Sequence, residues 1–183
     1  MLGDGRIDVP DKYGHYRLRI FDNSKEFLSA LAKIIFQQYY KVKPSIYWDG
    51  TCWYLSIYGK RFVENMRLVV NKRKYSIDYV RGLFDSEGSI YIGVKKNNKM
   101  YLHISITNKD KELLLIAQNI LHLYGIRSNI VKKTYFDKRT NKYYSNYRLI
   151  IRRKNDVSLF LKYIGIRHPK HLKYINLIHE YTK

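Results

Sequence analysis

Two acidic residues, one in each half of the sequence, would support hydrolytic chemistry if the fold brings them together. Asp4 lies in the segment GDGRI (3–7) and Glu87 in the segment SEGSI (86–90), each between small residues and before a predicted strand. Glu87 ends a helical pattern, where the helix dipole disfavours a carboxylate, so a basic chain that keeps an acid there has a use for it. Such a pair predicts a site for Mg²⁺, which prefers carboxylate and water ligands and activates water against a phosphodiester.

The composition indicates a polyanionic partner. Lys and Arg number 35 against 15 Asp and Glu in 183 residues, which gives a formal net charge of +20. The basic residues are spread over several segments rather than along one amphipathic helix, so the charge favours a nucleic acid over a membrane surface. The 19 tyrosines among them offer flat rings and hydroxyls to bases, sugars and phosphates.

Cysteine content and hydropathy disfavour several other classes of protein. Cys52 is the sole cysteine, which excludes a disulfide framework within the chain and fits a reducing compartment. No window reaches the roughly 18 apolar residues of a membrane span, and the N-terminus lacks the pattern of a signal peptide. We therefore expect a protein of the cytoplasm or of an organelle interior that is not secreted. The many Tyr, Ile and Lys residues favour a thermophilic or archaeal source.

A divergent repeat predicts two similar halves. The segments SKEFLSALAKII (24–35) and DKELLLIAQNIL (110–121) both begin with a helix-capping residue and place apolar residues at matched helical positions. The segment WYLSIYGKRFV (53–63) matches YRLIIRRKNDV (147–157) more loosely. We assign 1–70 to an N-terminal half-domain, 71–75 to a linker and 76–183 to a C-terminal half-domain, with helices over 25–40, 60–70, 76–85, 110–124, 154–164 and 170–181.

The predicted strands alternate between apolar and polar residues. In HYRLRIF, SIYIGVK and YLHISIT every second residue is apolar, which predicts antiparallel sheets that are covered on one face only. The open faces carry Arg, Lys, Tyr and His rather than the mixed charges of a merely solvated surface, and this favours contact with a DNA groove. The candidate DNA-binding residues are Arg6, Lys12, His15, Arg17, Arg19, Tyr54, Tyr58, Tyr91, Lys95, Tyr101, His103, Ser105, Lys132, Lys133, Arg139, Arg148 and Arg152.

The segment YVRGLFDSEG (79–88) resembles the LAGLIDADG motif of homing endonucleases, a helix with an internal glycine followed by acid-x-acid-Gly. LGDG (2–5) resembles the end of a second copy of that motif, and through the repeat the resemblance covers essentially the whole chain. It implies an α/β (α+β) fold of two αββαββα halves on a pseudo-twofold axis, with curved antiparallel β-saddles that straddle a long DNA duplex. It also implies site-specific cleavage of both strands with Mg²⁺ or another divalent cation such as Mn²⁺, by an enzyme that is intron-encoded or freestanding.

The resemblance also implies roles for particular residues. Asp4 and Glu87 would hold the metal ions, and Gly3 and Ser86 just before them would lend backbone carbonyl groups. Lys109 would be the basic residue near the active site, and Asn108 beside it would order water. In the first half Asp22 and Asn23 occupy the corresponding positions, and the missing lysine implies that one strand is cut more slowly.

Gly82 would allow another helix to approach the motif helix closely. The sequence begins inside the first motif, so the family's first helix, which packs there, would precede residue 1. Without it we expect Ile77, Val80 and Leu83 to expose an apolar stripe around Gly82. The two halves imply a monomer, and an exposed stripe would favour self-association.

Two alternatives stay open. A DNA- or RNA-binding protein on the same fold, such as an intron maturase bound to intron RNA or a regulator, would keep the basic saddle without cleaving DNA. An unrelated RNA-binding protein would share the charge but would not explain the paired acids Asp4 and Glu87. The acids favour the endonuclease over both alternatives.

Overall fold

The fold is described by a computed structural model of the chain. The structure describes residues 5–8, 14–39, 42–73, 75–94 and 100–182, with no side-chain description for 70–73. It divides into two compact units, an N-terminal unit, Met1–Arg73, and a C-terminal unit, Lys74–Lys183. The sequence-based candidates Gly3, Asp4, Lys12 and Lys95 lie outside the described residues.

The N-terminal unit contains one antiparallel four-stranded sheet with the strand order β1-β2-β4-β3. Its elements are β1 (Gly5–Asp8), β2 (Arg17–Asp22), α1 (Lys25–Gln38), β3 (Ser45–Trp48), β4 (Trp53–Tyr58) and α2 (Lys60–Arg73). The hydroxyl of Ser24 accepts a hydrogen bond from the backbone N–H of Phe27, at 3.1 Å, and so caps α1 as the sequence predicts. Helix α2 continues three residues into the segment 71–75 that was assigned to a linker.

The C-terminal unit has the same sheet topology, β5-β6-β8-β7. Its elements are α3 (Ile77–Glu87), β5 (Gly88–Val94), β6 (Met100–Asn108), α4 (Lys111–Leu123), β7 (Asn129–Asp137), β8 (Lys142–Ile151), α5 (Lys154–Tyr163), α6 (Pro169–Leu172) and α7 (Ile175–Thr182). The α+β fold class and the two antiparallel sheets are thus confirmed.

One predicted helix, over 170–181, was wrong as a single element. The chain forms α6 and α7 instead, because the backbone N–H of Tyr174 bonds to the carbonyl of His171, three residues back at 3.0 Å. A regular α-helix would use the carbonyl four residues back, so the tighter turn interrupts the helix between its two parts.

The core of each unit lies between one face of its sheet and the helices. In the N-terminal unit the buried residues are Leu18, Leu28, Leu55, Ile57, Phe62 and Val63. In the C-terminal unit α3 packs against α4 and β6. Its buried side chains Tyr79, Val80, Leu83 and Phe84 accompany Leu102, Ile104, Ile106, Leu114, Ala117 and Leu121.

The expected apolar stripe on α3 was wrong. Val80 and Leu83 are 0% exposed because they face the core of their own unit, and Ile77 is half-buried. The outward face of α3 carries the exposed residues Asp78 and Gly82. A Cβ placed at Gly82 would have no described heavy atom within 4 Å, so a close helix partner at this position stays a prediction.

Candidate nucleic-acid interface and metal-binding acids

The N-terminal sheet collects basic and aromatic residues on the face opposite the core. Strand pairing puts Arg6 beside Arg19, Arg17 beside Tyr58 and Phe21 beside Tyr54. Since side chains alternate along a strand, these residues share one face while Leu18 and Ile57 share the other. We call the set Arg6, Asp8, Arg17, Arg19, Tyr54 and Tyr58 the N-terminal polar face; His15 is exposed just before β2.

Asp8, which sequence reasoning missed, lies at the centre of this face. Its carboxylate accepts contacts from Arg6 Nε at 2.7 Å, Arg17 Nε at 2.9 Å and Arg19 Nε at 3.0 Å. Its side chain is 13% exposed. Burial opposes ionisation, but the hydrogen bonds from Arg19 and Arg17 outweigh it, so the pKa of Asp8 lies below its usual value. The parity of Arg6 and Asp8 was readable from the sequence, but their pairing with β2 was not.

The C-terminal sheet has a corresponding basic and aromatic face. Tyr91 is the cross-strand partner of His103, and their rings stack with centroids 4.9 Å apart. Burial lowers the pKa of His103, and the charges of Arg152, Arg148 and Lys133 lower it further. The contribution of these three cations reflects the concentration of positive charge around His103. We call the set Tyr91, Tyr101, His103, Lys133, Arg148 and Arg152 the C-terminal polar face.

Two of the predicted DNA-binding residues do not belong to this face as accessible side chains. Lys132 pairs with Tyr147 and has the parity of Leu149, so it lies on the opposite side of the sheet from Lys133. Ser105 has the correct parity but is 2% exposed, and its Oγ lies 2.9 Å from Ser89 Oγ. Contact of either residue with DNA therefore stays a prediction.

Arg139 lies beyond the end of β7, in the connection to β8. It is 91% exposed, with Nε 3.5 Å from Asp137 Oδ1. Its guanidinium is thus accessible to a polyanion and only weakly held by its neighbour.

Glu87 is the last residue of α3 and is half-buried. The chain passes directly from the helix into β5 through Gly88. A Cβ at Gly88 would collide with the ring and the carbonyl oxygen of Phe84, which explains why the motif has glycine after its acid. The motif therefore fixes Glu87 at the junction between the helix and the first strand of the sheet.

The C-terminal part of the unit docks on this end of α3. Lys170 Nζ donates a hydrogen bond of 2.8 Å to the carbonyl oxygen of Ser86, and the ring of His171 stacks on Phe84 with centroids 4.5 Å apart. Burial raises the pKa of Asp85, although the charges of His168, Arg167 and Lys170 oppose the rise. The sequence did not predict these particular contacts, because they join residues more than 80 positions apart.

Asn108 and Lys109 form the corner between β6 and α4. Asn108 Oδ1 accepts a hydrogen bond from the backbone N–H of Asp110 at 2.9 Å, and Lys109 is exposed. In the N-terminal unit Asp22 Oδ1 accepts in the same way from Ser24 N–H at 2.7 Å. The two corners thus have the same local structure, and the catalytic roles of Asn108 and Lys109 stay predictions.

The oxygen donors of this region suit a hard divalent cation in part. Glu87 supplies a carboxylate, the type of ligand that Mg²⁺ prefers. The Ser86 carbonyl, also predicted as a ligand, is engaged by Lys170. Within the segments that the structure describes, no group of three or more His, Cys, Asp or Glu residues could hold a metal ion. Glu87 is thus one candidate ligand, and its metal-binding role stays a prediction.

Two units of one sheet topology, and a motif helix that ends in an acid and passes through glycine into a strand, define a protein of the LAGLIDADG class. The sequence model of the LAGLIDADG-like domain family matches residues 74–165, half of the chain, and the chain belongs to this family. The model of the WhiA LAGLIDADG-like domain matches residues 1–50. Both motif regions that the sequence singled out lie inside these matches.

One curated relative is the uncharacterized protein MJ0314 of Methanocaldococcus jannaschii, which is 30% identical over 95 residues. The match covers 52% of this chain but 33% of the relative, so the chain spans about a third of the length of that protein.

Solved structures share the fold. The homing endonuclease I-DmoI in complex with DNA and Ca has a TM-score of 0.67 at 22% identity, over 97% of this chain and 92% of that chain. Other I-DmoI structures contain target DNA with Mg or DNA with Mn. The meganuclease I-AabMI bound to uncleaved DNA has a TM-score of 0.64 at 16% identity, over 98% and 86% of the two chains.

One further structural match is named neither as an endonuclease nor as a complex with DNA. Full-length DUF199/WhiA from Thermotoga maritima has a TM-score of 0.55 at 19% identity, over 97% of this chain and 56% of that chain. At such identities the likeness of all these structures shows the fold alone.

No helix in the described segments is long and apolar enough to span a bilayer.

Proposed function

We propose that this chain is a site-specific double-strand DNA endonuclease of the intron-encoded homing type, dependent on Mg²⁺ or another divalent cation. The observation that carries the proposal is the placement of Glu87 at the last residue of the motif helix, directly before a sheet with a basic polar face. A carboxylate in a chain of net charge +20 lowers DNA affinity and is disfavoured at a helix C-terminus. Its retention there is explained by catalysis.

DNA recognition belongs to the two polar faces. Guanidinium groups such as those of Arg17 and Arg148 bind phosphates and read guanine edges in the major groove. The tyrosines Tyr54, Tyr58, Tyr91 and Tyr101 add hydroxyls and flat rings next to these cations. We keep the assignment of 1–70 and 76–183 to half-domains on either side of a 71–75 linker, each reading one half of the target. One chain then supplies both halves as a monomer.

In the proposed reaction Glu87 and Asp4 would each serve as a carboxylate ligand of a divalent cation. A cation bound there would supply an activated water and positive charge for the leaving oxygen of the scissile phosphodiester. Gly3 and Ser86 are proposed to assist through their carbonyl groups, in the case of Ser86 only if Lys170 moves away. Lys109 and Asn108 are proposed to provide positive charge and to order water beside the reacting phosphate. I-DmoI structures with Ca, Mg and Mn support the proposal that proteins of this fold use a divalent cation. They do not test whether this chain binds one.

The test is cleavage of a library of randomised DNA duplexes by the full chain with Mg²⁺ or Mn²⁺, with binding measured on the same library. We expect Glu87→Gln and Asp4→Asn to abolish cleavage while binding survives, because each change removes a metal ligand without adding bulk. Glu180→Gln is the matched control, since it makes the same chemical change at an exposed position of α7. Cleavage that continues unchanged in Glu87→Gln would refute the assigned role of the acid.

A second candidate is a DNA- or RNA-binding protein on the same fold that does not cleave. Two observations favour it: the WhiA domain model matches residues 1–50, and Lys170 is bonded to the Ser86 carbonyl beside the acid. If the parent chain selects a preferred duplex but leaves it intact with Mg²⁺ and with Mn²⁺, this function replaces the first. Preferential binding of structured RNA over duplex DNA would identify the RNA-binding form of it.

A further inference from the structure

We propose that Asp8 is a specificity-determining residue, which holds Arg6, Arg17 and Arg19 in one arrangement so that the N-terminal polar face reads DNA sequence rather than charge alone. The inference rests on the proposed DNA-binding function. Asp8 would thus take part in recognising a polyanion, although its own negative charge opposes binding of a polyanion.

The carboxylate of Asp8 contacts all three guanidinium groups of the cluster. Asp8 Oδ2 accepts from Arg17 Nε at 2.9 Å and from Arg19 Nε at 3.0 Å, and Oδ1 accepts from Arg19 Nη2 at 3.2 Å. Oδ1 also forms an ion pair with Arg6 Nε at 2.7 Å. These contacts use a minority of the N–H donors that each guanidinium carries. The remaining donors stay available to a ligand, and their directions are set by the carboxylate.

Neighbouring aromatic side chains also contact Arg17 and Arg19. Arg17 Nη1 also lies 3.5 Å from the hydroxyl of Tyr58, and the guanidinium of Arg19 lies over the ring of Phe21 at 5.6 Å from its centroid. The side chains of Arg17 and Arg19 are 33% and 20% exposed. Two of the three arginines are thus held on several sides, whereas Arg6, at 70% exposed, depends chiefly on Asp8.

The charges of the cluster do not cancel. Three guanidinium charges and one carboxylate leave the cluster with a net charge of +2, so Asp8 weakens the general attraction of phosphates by one charge. In return it fixes side chains that would otherwise lose rotamer freedom on binding. Bidentate reading of guanine needs such a fixed planar fork. The expected consequence is lower non-specific affinity and higher selectivity.

The C-terminal polar face is held differently. There Arg148 Nε lies 3.3 Å from the hydroxyl of Thr107, a neutral acceptor that leaves the full charge of the guanidinium. The selectivity that Asp8 provides should therefore be confined to the base pairs that the N-terminal sheet contacts.

The experiment uses the full chain without divalent cations. A preferred duplex is selected from a randomised library, and its affinity is compared with that of a scrambled duplex over a range of KCl concentrations. We expect Asp8→Asn to lower the ratio of specific to non-specific affinity about tenfold or more, with unchanged or higher non-specific affinity and a salt dependence about one unit steeper. Sequence preference should be lost in one contiguous half of the selected site.

Asp137→Asn is the matched control. Asp137 shares the parity of Lys133 on β7, and its carboxylate forms an ion pair with the exposed Arg139, whose Nε lies 3.5 Å from Oδ1. This change removes the same charge without releasing a held cluster, so it should leave the affinity ratio within about twofold. Arg19→Lys adds a test that keeps the net charge: it should lower the ratio without changing the salt dependence.

The outcomes separate the two proposals. Binding by the parent with a clear preference, together with an unchanged ratio in both Asp8→Asn and Arg19→Lys, would overturn the role of Asp8 and leave the proposed function standing. A folded parent chain that binds no duplex at all would overturn the proposed function itself. Circular dichroism of each variant establishes that the N-terminal sheet is intact, and Arg19→Lys decides the question if Asp8→Asn does not fold.

Discussion

The ammonium nitrogen of Lys170 lies 2.8 Å from the carbonyl oxygen of Ser86, so a residue of α6 caps the end of the motif helix one residue before its acid. The last carbonyl groups of a helix lack intrahelical partners and carry partial negative charge. A cation in this position stabilises the helix end and offsets part of the cost of placing Glu87 there. It also stands where a carbonyl-bound metal ion would compete with it.

Replacement of Lys170 should reveal this cap. We expect Lys170→Met to lower the free energy of unfolding of the C-terminal unit by about 1 kcal/mol, because it removes a charged hydrogen bond at a helix C-terminus. Urea denaturation of the parent and the variant measures the difference. Lys173→Met, in the same segment with its Nζ 5.0 Å from the centroid of the Tyr174 ring, is the control and should cost less. Equal stability of the parent and Lys170→Met would show that the contact contributes nothing.

The buried histidine His171 should make stability depend on pH. It is 3% exposed, and burial, with a further contribution from the charge of Lys170, lowers its pKa from 6.5 to about 4. The unfolded chain therefore binds a proton more readily than the folded chain between these two values. The free energy of unfolding should have its full value above pH 6.5, where His171 is neutral in both states. It should fall by up to about 3 kcal/mol as the pH drops towards 4.

Urea denaturation at several pH values between 4 and 7.5 measures this slope. We expect His171→Phe to flatten it, because phenylalanine keeps an aromatic ring against Phe84 but does not titrate. His179→Gln, at an exposed position of α7, is the control and should keep the parent slope. A slope that survives in His171→Phe would assign the pH dependence to other groups.

Sequence patterns predicted what depends on local periodicity. The alternation in HYRLRIF placed Arg17 and Arg19 on one face and Leu18 in the core, and the spacing of the motif placed Glu87 at a helix end. The contacts of Asp8 and Lys170 depend on strand pairing and on the docking of a distant segment, which periodicity does not encode. The sequence did not separate Lys132 from Lys133, because these consecutive lysines of β7 belong to a strand, NIVKKTYFD, without a regular alternation.

The two glycines of the motif should respond oppositely to alanine. Gly88→Ala should destabilise the C-terminal unit by about 2–3 kcal/mol, since its Cβ would collide with the backbone and the ring of Phe84. Gly82→Ala should stabilise it by about 0.5–1 kcal/mol, because a helical glycine with open space around it gains helix propensity on substitution. Thermal unfolding followed by circular dichroism measures both.

The Gly82 variant also tests the helix-packing prediction. A helix that packs closely on Gly82, from this chain or from a second copy, would turn the expected stabilisation into a loss. Sedimentation of the parent and of Gly82→Ala distinguishes the two sources, because only contact between copies makes the effect depend on protein concentration.

The opposite orientations of Lys132 and Lys133 provide a paired test of the DNA-binding face. Both changes, Lys132→Gln and Lys133→Gln, remove one positive charge from neighbouring exposed positions of β7, so they alter net charge and strand propensity alike. Only Lys133 shares a face with Arg148. Its loss should weaken binding of a random duplex about fivefold at physiological salt and reduce the salt dependence by about one unit, because one phosphate contact is lost. Fluorescence anisotropy at several KCl concentrations measures both quantities, and equal effects of the two changes would mean that DNA does not lie on the polar face of this sheet.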